Sequence, residues 1–296
     1  MGSAPLATGR MDWAPSDDPG ERLAAHTRQR RNSAPVDFVT MMALEPHGTD
    51  VWVGAGPRYP WGGLFGGQIV AQALRAATFT VDARYAVHSL HAYFIRSGDH
   101  TEPIRFEVDR VRNGRSFCTR RVTARQSVGV ILNLAASYQA DEPGPKVQTA
   151  AMPELAPPGE LSDDSWSEIF ERRMAPRQQG EVRAWARLAK PIGDDPALQA
   201  CALAYISDDF PTEAVVSLMP DWDRDVPPER QFFSASLDHA IWFHRAVDVD
   251  GWHVHASTSH GLMSSRGVSV GHVFTADGAH LATVSQEVLL RPARPG

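Results

Sequence analysis

The chain has 296 residues, is 43% hydrophobic, carries a formal net charge of −6 and contains two cysteines, Cys118 and Cys201. That length allows two domains of ordinary size, and the acidic balance argues against nucleic-acid binding, which needs a basic excess. The cysteines show neither a CxxC nor a zinc spacing, which argues against a disulfide scaffold and for buried thiols in a reducing compartment, the cytoplasm.

Residues 1–35 are polar, broken by Pro and Gly, with an RQRR run at 28–31 and no signal-peptide core. They are expected to form a flexible N-terminal arm. No run of about 18 apolar residues follows anywhere, so no membrane span is expected.

Residues 36–140 form a first predicted unit. It opens with a short helix at 36–44 and a strand at 47–56. Then comes GGLFGGQIVAQALRAA at 62–77, a glycine-rich turn feeding an apolar helix. Ile69, Val70, Ala73, Leu74 and Ala77 fall at helical spacing, and the alanines let strands approach from more than one side, which is the pattern of a buried helix. Gly66 and Gly67 mark its start. They either leave helix N–H groups facing a bound oxygen or simply let the helix pack closely. Strands are predicted at 87–95, 103–114, 116–126 and 128–139, with Phe106 and Val108 alternating with charges and Asn113-Gly114 as a hairpin signal.

Residues 141–165 contain EPGP, MPELAPPGE and LSDD and read as a linker. Residues 166–296 then start over. IFERRMA (169–175) and VRAWARLAKPI (182–192) read as strands, and PALQACALAYI (196–206) as an apolar helix behind Asp194 and Asp195. Strands follow at 236–247, 252–259, 264–275 and 280–290. SLHAYFIR at 89–96 resembles SLDHAIWFHR at 236–245, and AASYQ at 135–139 resembles ATVSQE at 282–287. Two fused copies of one helix-on-antiparallel-sheet unit would give this order, an α+β architecture.

Several constellations invite chemistry. GVSVG at 267–271 has the G-x-S-x-G form of a nucleophile elbow around Ser269, but it lies in alternating strand sequence and only residues 272–296 remain for an acid and a histidine. His253 and His255 share one strand face without the carboxylates or HExxH spacing of a metal site, and His239 and His244 are read as surface or hydrogen-bonded core residues. Asp208 directly follows the second apolar helix, Ser236 opens a strand and Gln286 interrupts the last one. Each can be a turn residue or a satisfied structural polar group. If the repeat packs as supposed, the three converge as an acid, a hydroxyl and an amide able to hold a water.

FGGQIVAQALRAA, VHSLHAYFIRSGD, VRNGRSFCTRRVTARQ, LAYISDDF, SLDHAIWFHR and SSRGVSVGHVFTADGAHLATVSQE together resemble, in order, the segments of the TesB-type acyl-CoA thioesterase II family. The likeness runs over residues 36–292. It implies a double hotdog fold, two tandem domains each with a long helix wrapped by an antiparallel sheet. It also implies hydrolysis of acyl-CoA to fatty acid and coenzyme A by a water that Asp208, Ser236 and Gln286 activate, with Asp209 an adjacent competitor for the acid position. By the same analogy Gly66, Gly67 and Gln68 belong to the pocket, the latter two as candidates for holding the thioester oxygen. No metal or redox cofactor is called for. Arg96, Arg112, Arg115, Arg120 and Arg121 are candidates for the coenzyme A phosphates. Sheet edges that need covering imply a homodimer or higher homo-oligomer. A non-catalytic acyl-CoA or lipid-binding hotdog protein and a hotdog enoyl-CoA hydratase are the alternatives. The first would lack the polar trio, and no coherent Asp/His pair supports the second.

Overall fold

The structure, a computed structural model, describes residues 37–219, 226 and 231–292. The expected arm at 1–35 lies outside the described residues. The chain opens with α1 (Phe38–Met42), capped by the Asp37 side chain accepting the Thr40 N–H at 2.8 Å. Then come β1 (Glu45–Pro46), β2 (Val51–Gly54), α2 (Gly66–Thr78), β3 (Tyr85–Phe94), β4 (Ile104–Asn113), β5 (Phe117–Gln126) and β6 (Gly129–Ala140). The second half supplies β7 (Phe170–Met174), β8 (Glu181–Leu188), α3 (Pro196–Ser207), α4 (Asp209–Val216), β9 (Phe232–Ser236), β10 (Asp238–Phe243), β11 (His253–Met263), β12 (Arg266–Thr275) and β13 (His280–Pro292).

All the strands join one antiparallel sheet in the order β1-β2-β4-β5-β6-β3-β10-β13-β12-β11-β8-β7, with β9 added beside β13. Read from either end the order is the same, strand for strand. The halves meet at β3 and β10, which pair through Leu90 and Ile241 and through Ala92 and His239. The two related sequences SLHAYFIR and SLDHAIWFHR therefore lie side by side at the centre of a double hotdog.

The sheet wraps α2 and α3, which pack on each other. Val70, Ala71, Ala73, Leu74, Ala76 and Ala77 of α2 and Cys201 to Ile206 of α3 are wholly buried. The alanines of both helices let two helices and two half-sheets approach closely. The helices run antiparallel. At one end Arg75 of α2 lies 3.5 Å from Asp195, the N-cap of α3. At the other, the first glycine of α2 meets Asp208 beyond the last turn of α3.

The apolar helix begins at Gly66 as expected, after Gly62 with a positive φ of 78° has turned the chain. Two expectations change. The single strand expected from 236 is two strands, with a β-bulge between. Ser236 faces Val288 and Ala240 faces Ser285, so four steps on one side span three on the other. Asp238 Oδ1 accepts the Glu287 N–H at 2.6 Å and repairs the ladder there. Finally, α4 was not foreseen. Its Pro211 falls in the first turn, where a missing N–H costs no helical bond, so SDDFP continues as helix instead of turning.

The segment 141–165 has one 3₁₀ turn, Pro158–Glu160, and no strand longer than a single bridge. It is nevertheless anchored: Ala150, Met152, Leu155 and Leu161 pack on Trp185, Val254 and Phe274. Both cysteines are buried and unpaired. Among the described residues no helix is long and apolar enough to cross a membrane.

Candidate active site

Asp208 occupies the joint between α3 and α4, being C-cap of one and N-cap of the other. Its side chain is turned across the boundary between the halves to the N-terminus of α2. A β-carbon added to Gly66 would stand 2.6 Å from Asp208 Oδ2 and 2.9 Å from Phe94 Cζ. Gly67 is as crowded, since a β-carbon there would run into the Tyr205 carbonyl oxygen and the Phe65 ring. Close approach, not a positive φ, is what demands glycine at both positions.

Asp208 is only 5% exposed, and its Oδ1 has no hydrogen-bond partner. Burial pushes the carboxyl up to about 6, while the Gly67 N–H and the Ser236 and Gln286 side chains favour the charged form and hold it back. The partial positive charge at the start of α2 acts in the same direction.

Gln286 projects inward from β13, fully buried at 1% exposure. Its Nε2 donates to Ser236 Oγ at 2.7 Å, with Thr212 Oγ1 of α4 at 3.4 Å. Its Oε1 lies 2.5 Å from Nδ1 of His239, whose Nε2 lies 3.0 Å from Ser207 Oγ. His239 Nδ1 is also 3.9 Å from Asp208 Oδ1. Burial lowers the imidazole to about 4, so it is neutral at pH 7.

The two adjacent aspartates face different surroundings. Asp209 Oδ2 is 2.7 Å from Arg172 Nη1, and its Oδ1 accepts from Trp166 Nε1 at 2.7 Å. Arg172 also binds Glu213 at 2.7 Å and Asp164 at 2.9 Å. Asp209 is thereby committed to an ion pair that clamps α4 to β7. Asp208 is left facing the glycines, the hydroxyl and the amide.

The structure thus brings Asp208, Ser236, Gln286, Gly66 and Gly67 together. Gln68 is a different case: its fully buried carboxamide accepts from Tyr59 Oη at 2.9 Å and donates to Gln72 Oε1 at 3.2 Å. Its backbone N–H goes to the Phe65 carbonyl oxygen at 3.1 Å. It secures the entry to α2 and is not turned to Asp208. Arg120 is likewise removed from the set of phosphate candidates. It is 2% exposed, with its guanidinium bonded to Thr80, Asn113 and the Arg112 carbonyl. Arg121 pairs with Asp109 at the surface.

Ser269 lies inside β12 opposite Gln286, with no turn to raise it as an elbow. His253 and His255 are buried together, the latter stacked on Phe210 at 4.3 Å. The sequence reading missed the connection of His239 and Thr212 to the trio. For His239 the available signal was its place one residue after Asp238 in the strand that follows Ser236; Thr212 had none.

The first half has no counterpart of this cluster. In the first half the end of α2 instead meets Tyr138 of β6, which pairs with Cys118 of β5. Its hydroxyl bonds to Thr78 at 3.0 Å. Between α2 and β3 the first half has only residues 79–84, where the second inserts α4 and β9 and with them Thr212 and Ser236.

The comparisons agree with this architecture. Residues 56–139 match the family model of the acyl-CoA thioesterase N-terminal domain, and residues 141–290 that of the acyl-CoA thioesterase C-terminal domain. The chain is 32% identical to acyl-CoA thioesterase 2 of Haemophilus influenzae, over 77% of this chain and 87% of that protein. It is also 32% identical to human acyl-coenzyme A thioesterase 8, over 85% of this chain and 88% of that one. Among solved structures, the acyl-CoA thioesterase II TesB2 of Mycobacterium marinum is 35% identical, with a TM-score of 0.77 over 88% of this chain and 98% of the other.

Proposed function

Because this chain belongs to the TesB-type acyl-CoA thioesterase II family and is a thioester hydrolase, we propose that Asp208, Ser236 and Gln286 hold and activate the hydrolytic water. The observation that carries the assignment is the isolation of Asp208, a buried carboxyl raised to about 6 whose Oδ1 has no partner while Asp209 beside it is tied to Arg172.

A carboxylate of that basicity is ionised at pH 7 yet close enough to neutrality to take a proton from water as the O–C bond forms. Ser236 and Gln286 supply the remaining hydrogen bonds to the water. As the oxygen attacks, the thioester carbonyl gains negative charge at the start of α2, where the Gly66 N–H lies outside the helical ladder and the Gly67 N–H is held by Asp208. Collapse of the tetrahedral intermediate breaks the C–S bond, and the proton held by Asp208 accompanies the departing coenzyme A sulfur. The products are a carboxylic acid and the free thiol.

The reading extends to the rest of the chain. Residues 36–140 and 166–296 form the two hotdog domains, with 141–165 strapped between them. Cytoplasmic residence is supported by the two unpaired cysteines. Assembly into a homodimer or larger homo-oligomer is supported by Tyr93, Trp242, Val268 and Val270 on the outer sheet face, Tyr93 being 64% exposed. The decisive experiment is thiol release from short-, medium- and long-chain acyl-CoAs by wild type and Asp208→Asn. Loss of turnover in a folded variant supports the site, and retention overturns it.

A further inference from the structure

A hydroxyl that helps a carboxylate manage a water must have its own proton pointed the right way. Ser236 Oγ is 2.7 Å from Gln286 Nε2. If that nitrogen donates, the Ser236 proton is left for the site; if the amide is reversed, its oxygen takes the Ser236 proton instead. The amide cannot choose alone, because its other end meets His239 at 2.5 Å.

A neutral imidazole has one donor and one acceptor nitrogen, so only two chains are consistent. In one, Ser207 donates to Nε2, Nδ1–H donates to Gln286 Oε1, Nε2 of Gln286 donates to Ser236, and Ser236 donates into the site. In the other, every bond runs backwards and Ser207 donates to the Ala204 carbonyl oxygen at 3.4 Å, a long contact that the first chain gives up for the 3.0 Å bond to Nε2. Asp208 Oδ1 lies 3.9 Å from His239 Nδ1. A carboxylate there attracts an N–H and repels a nitrogen lone pair, which selects the first chain. Burial of the first three links strengthens the preference, since His239 is 0%, Ser207 1% and Gln286 1% exposed.

We infer that His239 is a positioning residue that, from its Nδ1–H, orients the Gln286 amide so that Ser236 presents its proton to the water site beside Asp208. This inference rests on the proposed roles of Asp208, Ser236 and Gln286. His239 touches no reacting atom, and its effect falls on the chemical step.

The test separates donor position from packing. Asparagine places an amide N–H near the position of Nδ1, glutamine places one near Nε2, and leucine supplies neither. Thiol release from decanoyl-CoA is measured for wild type, His239→Asn, His239→Gln and His239→Leu, with Asp208→Asn in parallel and circular dichroism as the fold check. In His239→Gln and His239→Leu, kcat falls about 10- to 100-fold with KM within about threefold, while His239→Asn stays within about fivefold of wild type. Asparagine no better than leucine among folded variants, or leucine as fast as wild type, overturns the inference. Full activity in Asp208→Asn overturns the site reading, a separate result.

Where variants do not fold, the ¹⁵N spectrum of histidine-labelled wild type answers the same question. A protonated Nδ1 and a bare Nε2 for His239 support the chain as drawn, and the opposite tautomer overturns it.

Discussion

The Asp208 carboxylate rests against the Cα of Gly66, so close that a β-carbon on that glycine would stand 2.6 Å from Oδ2. This contact joins the end of one half's helix to the start of the other's. It also puts the proposed site at a point that neither half forms alone.

Gly66→Ala and Gly67→Ala should separate approach from packing. At Gly66 the obstacles are side chains, Asp208 and Phe94, which yield by moving the carboxylate off its position. Turnover is expected to drop at least about 100-fold while stability falls by about 1–3 kcal/mol. At Gly67 one obstacle is the backbone carbonyl of Tyr205, which has no such freedom. Thermal denaturation should show the larger loss there.

The pH profile follows from burial of Asp208. With its carboxyl raised to about 6, log kcat/KM should rise with unit slope up to about pH 6 and then level. Asp208→Asn should remove this limb and lower kcat by about 10²- to 10⁴-fold. Steady-state rates between pH 4.5 and 8.5 check both. A profile governed by a group near 4 would transfer the role away from Asp208.

The same shift has a cost in stability. The folded carboxyl titrates at about 6 against 3.8 for the ordinary group, so the native state binds the proton more tightly than the unfolded chain. Stability from this residue is therefore fully present below about pH 4 and lost as pH rises toward 6. Above that, ionised Asp208 is destabilising by about 1–3 kcal/mol. Asp208→Asn should melt higher than wild type at pH 8, and the gap should close by pH 4. Urea denaturation at the two pH values measures it.

Arg172 is the counterweight. It is 7% exposed and holds Asp209, Glu213 and Asp164. Arg172→Met would strand the Asp209 carboxylate, while Glu213 keeps Arg177 at 3.3 Å, and is expected to cost about 3–5 kcal/mol, measured by urea denaturation at pH 7.5. Because α4 carries Thr212 beside Gln286, surviving folded protein should also lose turnover.

Much of the fold was legible in the chain. The apolar helices at 66–78 and 196–207 announce themselves by small and aliphatic residues at helical spacing, and the strands by alternation. The repeat of SLHAYFIR and SLDHAIWFHR predicts the duplicated sheet. Such signals are local: each depends on residues within a few positions of one another along the chain.

The site was legible as a set of residue types, since Asp208, Ser236 and Gln286 stand out as polar groups at helix and strand positions. Their convergence could be expected only on condition that the repeat packs as supposed, because it depends on antiparallel packing of α2 against α3, on the bulge at 237–238 that ends β9 at Ser236, and on α4 continuing through Pro211. The choice between Asp208 and Asp209 was out of reach. Adjacent residues in a helical joint point in different directions, and only the position of Arg172 decides which carboxylate is neutralised. What the sequence by itself determined was the element order and the chemical inventory, both written in local periodicity and composition. Only the tertiary structure decided which polar groups share a desolvated space, because burial and charge pairing act through space between residues as distant in the chain as 66, 208, 239 and 286.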